Sequence, residues 1–167
     1  MRMVVPRTSY DDQMNTTSST RDEERVLGDF RDALDGWRNA LEAHRMAPPD
    51  HGFSARLAGL AQAASEEARA CRAADAAGFD WPPHRAADPR PPYELQPGTG
   101  RRGPERLWQR FDEAVRQLNT AATGQNMLDV ARAYDELAAA AAELAETVER
   151  EDGASTRRPR ARKRRSA

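Results

Sequence analysis

Apolar residues recur along most of this chain at alternating three- and four-residue steps, the spacing of one face of an α-helix. Leu27, Phe30, Leu34, Trp37, Leu41 and His44 form a first series, flanked at seven-residue intervals by Val26, Ala33, Ala40 and Ala47. Phe53, Leu57, Leu60, Ala64, Ala68, Cys71 and Ala74 form a second, thinner and rich in alanine. Trp108, Phe111, Val115, Leu118 and Ala122 make a third, with Leu107 and Ala114 beside it. Met127, Val130, Tyr134, Leu137, Ala141, Leu144 and Val148 give a fourth, an unbroken coiled-coil-like heptad series. Stripes of this width suit bundle packing rather than a two-strand seam. No alternating strand pattern competes with them.

Local signals place the helix ends. Thr20 followed by Glu23 reads as a capping box, and Asp22, Glu23 and Glu24 put negative charge at the positive end of the helix dipole. Pro48 and Pro49 stop this first helix, and the second begins between Asp50 and Ser54. Gly78 suits the left-handed residue that closes a helix, with Phe79 folding back on the last turn. The third helix starts at Gly103-Pro104-Glu105 and ends at Gly124, and Asn126 caps the fourth. Gly28 and Gly36 each cost roughly 1 kcal/mol of helix stability, which suggests a close helix approach at one of them.

The expected fold is all-α: two antiparallel helical hairpins forming a four-helix bundle, joined by a Pro-rich connector, with disordered tails at both ends. Residues 1–19 are the expected disordered N-terminal segment, polar and without apolar periodicity, and Met14 is a candidate start. Residues 20–152 are the bundle, divided into a hairpin at 20–77, a connector at 78–103 and a hairpin at 104–152. Residues 153–167 are the expected disordered basic tail. Short links within each hairpin favour antiparallel neighbours.

The connector changes the picture because its composition departs from that of a plain flexible linker, which stays open as a third reading beside the two below. Seven of the eleven prolines lie between Gly78 and Pro104, yet Phe79, Trp81 and Tyr93 lie there too, and disordered linkers usually lack aromatics. Trp81 and Tyr93 are expected to cover a groove left shallow by the alanine-rich second helix. The competing reading makes these two rings partner contacts, presented on an extended Pro-rich segment.

Composition supports helices with a lean core. Only 38% of residues are hydrophobic against 32% charged, and alanine, the best helix former, is the commonest residue. Lys163 is the only lysine among 26 basic residues. Arginine, alanine, proline and glycine share G+C-rich codons, so a G+C-rich genome is expected, actinobacterial or, as the lesser alternative, viral. Codon bias competes with phosphate recognition as the source of the arginine excess.

Net charge of −1 conceals a partition. All 27 acidic residues lie at or before Asp152, and with 19 arginines residues 1–153 carry −8. Residues 154–167 carry +7 from Arg157, Arg158, Arg160, Arg162, Lys163, Arg164 and Arg165. Such a tail is a candidate polyanion contact, or else folds back on its own acidic body.

The tests for chemistry return little. Gly98-Thr99-Gly100-Arg101-Arg102-Gly103 matches G-x-G-x-x-G but follows Pro92–Pro97 rather than a strand, so a dinucleotide fold lacks its context. Arg101 and Arg102 beside a helix N-terminus remain a candidate anion contact. His44, His51 and His84 have no ligand spacing, and the single Cys71 cannot form an intramolecular disulfide. Glu66, Glu67, Glu136 and Glu143 fit a solvated face better than an acid–base pair. No catalytic residue, cofactor or metal is expected. No segment approaches the roughly 20 apolar residues that span a bilayer, and residues 3–5 are too short for an export core. A reducing cytoplasm is the expected compartment, with nucleoid association under the second reading below.

Three functions stand in order. The first is a noncatalytic protein-interaction or regulatory accessory protein that docks a protein partner or self-associates, for instance as a dimer. The second is a nucleic-acid-associated protein that binds weakly and without sequence preference through its tail. The third is a phosphate-ligand binder or enzyme using the Gly/Arg loop before the third helix.

Overall fold

The computed structural model describes residues 10–46, 52–82 and 101–156. Most of these residues are helical, with no strand among them. Helix α1 runs Tyr10–Met46, α2 Phe53–Ala76, α3 Glu105–Ala122 and α4 Met127–Thr156.

The interior is built from the four apolar stripes. All six members of the first series are buried, as are all seven of the second and all seven of the fourth. In α3, Leu107, Trp108, Phe111, Ala114, Val115 and Leu118 are buried, while Ala122 is partly covered against the same core. Helices α2 and α4 form the most extensive pair, with α1 packed on α2 and α3 on α4. The α2–α4 pairing follows from side-chain size: Ala64, Ala68 and Ala74 face inward on one helix and Ala131, Ala138 and Ala141 on the other. Small residues at a contact let helix axes approach closely. Larger side chains make the remaining links. Trp37 of α1 meets Tyr134 of α4 edge-on at 5.4 Å, and His44 stacks on Trp108 of α3 at 6.5 Å.

Helix ends follow local chemistry at most positions. Helix α2 closes in a Schellman motif: Phe79 N–H donates to Ala74 O at 3.0 Å and Gly78 N–H to Asp75 O at 2.9 Å. Gly78 holds φ +82°, the left-handed geometry that favours glycine, and Phe79 packs against the core. Asn126 caps α4, its Oδ1 accepting from Leu128 N–H at 2.9 Å and Asp129 N–H at 3.3 Å. Pro104 stands at the N-cap of α3 in extended geometry.

Three expectations need correction. Helix α1 begins at Tyr10, so Thr20 and Glu23 lie inside it and the expected boundary at 19/20 is not a helix start. No proline or glycine interrupts residues 10–27, and Ser and Thr hydroxyls can satisfy a helix internally as well as cap it. Helix α4 continues to Thr156, past the expected end at 152, with Gly153 accommodated in an exposed last turn. Neither Gly28 nor Gly36 marks a close approach, since a Cβ at either position meets nothing within 4 Å.

Candidate functional site

Four places in the fold gather polar chemistry. The first lies in the core. Glu67 has no solvent exposure and sits one turn from Cys71, whose thiol points at Glu67 Oε1 from 3.9 Å. Its other oxygen, Oε2, has no hydrogen-bond partner. Burial pushes the Glu67 carboxyl up to about 8, offset in part by the Cys71 thiol and by Arg38. Burial also drives the Cys71 thiol far up, with the Glu67 charge adding to it, and raises the Tyr134 phenol well above its ordinary value. All three groups are therefore held protonated near neutral pH. A sealed cluster of protonated groups offers neither a thiolate nor a carboxylate base to a substrate.

Glu67 corrects the sequence expectation of a solvated face. The signal was present: Leu60, Ala64, Glu67, Cys71 and Ala74 step by four, three, four and three residues, so Glu67 occupies an inward heptad position. Glu66 beside it is half-buried and accepts from Gln62 at 3.0 Å. On α4, Glu136 is exposed, and Glu143 pairs with Arg110 of α3.

The second place is the entry to α3. Arg101 grips Asp112 with two hydrogen bonds, at 3.0 and 2.8 Å, and its guanidinium lies 4.7 Å from the centre of the Trp108 ring. Arg102 pairs with Asp152 near the end of α4, and its carbonyl accepts from Trp108 Nε1 at 2.9 Å. Bidentate Arg–carboxylate pairs combine charge with fixed geometry. Both candidate anion-binding arginines are thus engaged with carboxylates, Arg101 with one on α3 and Arg102 with one on α4. Gly103 follows at φ +97°, and a Cβ there would stand 3.2 Å from Val148 Cγ2. Under this junction His44, Phe53, Trp108 and Phe111 form an aromatic cluster. His44 Nδ1 is buried without a partner, and burial first, then Arg56, lowers its pKa.

The third place is Trp81, in the first residues of the connector. Its ring is buried edge-on to Phe30 at 6.0 Å, and its Nε1 donates to Ala122 O at 2.8 Å. Its backbone N–H reaches Gln125 O in the α3–α4 turn. The Trp81–Pro82 peptide bond is cis. Trp81, one of the two candidate partner-contact rings, therefore packs inside the fold and ties the end of α2 to the α3–α4 turn. Tyr93, the other, lies outside the described residues.

The fourth place is a surface groove of about 270 Å³ between α2 and α4, with a floor of Ala58, Ala61, Ala142 and Ala145 and carboxylates Glu146 and Glu149 along one side. The tail residues Arg157, Arg158, Arg160, Arg162, Lys163, Arg164 and Arg165 lie outside the described residues, immediately after the last turn of α4. Among the described residues no group of three His, Cys, Asp or Glu side chains is arranged to hold a metal ion. No helix among them is long and apolar enough to cross a membrane. Comparison with protein-family models, with curated proteins and with solved structures found no match to this chain.

Proposed function

We propose that this chain is a small noncatalytic interaction or regulatory accessory protein, in which an acidic helical body presents surfaces to a protein partner or a second copy and a basic tail adds electrostatic contact. One observation carries the reading: the charge partition, −8 over residues 1–153 against +7 over residues 154–167. Fields of opposite sign at two parts of one molecule steer association with charged partners.

In the same proposal the helices close as two antiparallel hairpins in one four-helix bundle, joined by the Pro-rich connector. His44 near the end of α1 lies by Phe53 at the start of α2, and Trp81 beyond the end of α2 lies by Phe30. Arg102 before α3 reaches Asp152 near the end of α4. The His44–Phe53 and Arg102–Asp152 contacts each join an end of one helix to the opposite end of its partner, as antiparallel packing requires, and Phe30 meets Trp81 at the middle of α1.

The second reading, weak nucleic-acid binding through the tail and association with the nucleoid, is favoured by seven cationic side chains within the nine residues 157–165. Against it stands the acidic body, which repels a duplex. The third reading, an anion site at Arg101 and Arg102, has to compete with Asp112 and Asp152 for both guanidinium groups.

Purification of the full chain at low salt, with and without nuclease, followed by sedimentation and identification of what co-purifies, tests the order. A stoichiometric protein partner or a self-associated form is expected. Nuclease-sensitive nucleic acid with neither of these would put the second reading first.

A further inference from the structure

The groove between α2 and α4 has a chemistry that matches one segment of this chain. Its floor is a row of alanine methyl groups, and Glu146 and Glu149 stand beside it one turn apart on α4. Both carboxylates are exposed, and neither has a cationic partner among the described residues. On the same helix Glu143 is paired with Arg110 and Asp152 with Arg102. Glu136 and Glu151 of α4 are likewise unpaired among the described residues, and of these four unclaimed carboxylates Glu146 and Glu149 are the ones that border the groove.

We infer that this groove is the docking site of the chain's own basic tail, residues 157–167, which it holds back from other polyanions. The fit is chemical: an arginine lays its methylene stem along alanine methyls while its guanidinium reaches a carboxylate. It is also geometric. Glu149 lies seven residues and Glu146 ten residues before Thr156, roughly 10 and 15 Å along the helix axis at 1.5 Å per residue. Eleven further residues, extended, reach roughly 35 Å, enough to turn back over both. Pro159 lacks the N–H that would continue a helix and disfavours helical geometry at the residue before it. Tethering raises the tail's effective concentration at the groove to the order of millimolar, so contacts too weak to hold a free peptide suffice. The docking stands independently of the functional reading above; only its role in masking the tail depends on that reading.

Trypsin digestion of the full-length protein at low salt, with release of tail fragments followed by mass spectrometry, tests the docking. Three full-length proteins are compared: wild type, E146Q/E149Q, and E24Q/E136Q, which loses the same charge at exposed positions outside the groove. The tail should be cut at least about fivefold faster in E146Q/E149Q, while E24Q/E136Q matches wild type. Equal rates in all three, or equal acceleration in both variants, would overturn the inference. Protection that grows with protein concentration would overturn it too, by assigning the groove to the tail of a second copy. Duplex DNA at low salt separates the two levels. Tighter binding by E146Q/E149Q than by wild type, by about threefold or more, supports masking. A faster-cut tail with no DNA binding by either protein supports the docking and removes the polyanion role.

Discussion

Glu67 is the residue whose environment most departs from its chemistry. A carboxyl with one oxygen unpartnered in an alanine-rich core is tolerated because it can stay protonated, and its pKa rises from 4.5 to about 8. Between those values the folded protein holds a proton that the unfolded chain releases. Stability therefore falls as pH rises through this window, by at most about 1.4 kcal/mol per pH unit, and levels off above pH 8. His44 acts in the opposite sense. Its folded pKa lies below 6.5, so the unfolded chain takes up the proton first and stability is lost as pH falls below 6.5. Replacing Glu67 with Gln keeps the shape, leaves His44 alone and removes the ionisation. Urea unfolding at pH 5, 6, 7 and 8 should show the variant gaining on wild type with every step up in pH. A difference that stays constant across the series would mean that Glu67 is not held protonated in the fold. Its burial could be read from the heptad step, but residue type argued for the surface, and a charged side chain is almost never fully buried unless paired.

At the scale of the helices, the apolar period located all four elements, because each must bury one face. The caps were less uniform guides. Gly78 and Asn126 act as their residue types suggest, whereas the Thr20–Glu23 pair lies inside a continuous helix. Arg101 and Arg102 read as a loop anion site, and their carboxylate partners stand 11 and 50 residues away, a separation that only the tertiary fold closes. Two measurements examine this level. Phe111 has no exposure and contacts Trp108 edge-on, so Phe111→Asp buries an unpaired carboxyl and should cost roughly 3 kcal/mol or more. Gln109→Asp on the exposed face should change stability by no more than about 0.5 kcal/mol. Equal melting of the two variants would contradict the assigned inward face of α3. Trp81 is tested by fluorescence in a W37F/W108F background. Its emission should be blue-shifted and protected from iodide, because the ring is buried and its N–H bonded to Ala122 O. Full quenching in a protein that retains its helical circular dichroism would detach the connector's start from the core.

For the molecule as a whole, the charge partition sets the kind of association available. Seven cations between Arg157 and Arg165 can neutralise at most about seven phosphates, so counterion release limits the log–log salt slope on duplex DNA to about −6. Phosphate contacts carry no base information, so binding through these side chains should be equal on unrelated sequences. The −8 body lowers the affinity further, so binding should be lost near physiological salt. Removing Ala154–Ala167 takes away the whole basic run and only three exposed residues from the end of α4. Helical content and melting temperature should barely change while DNA binding disappears. Fluorescence anisotropy on two unrelated duplexes, between 20 and 200 mM salt, reads all of these quantities together. A slope much steeper than −6, or affinity that survives the truncation, would place a phosphate-binding surface on the helical body. Arg106 would be the first residue to replace there: it is exposed at the start of α3, and no hydrogen bond or ion pair among the described residues engages it.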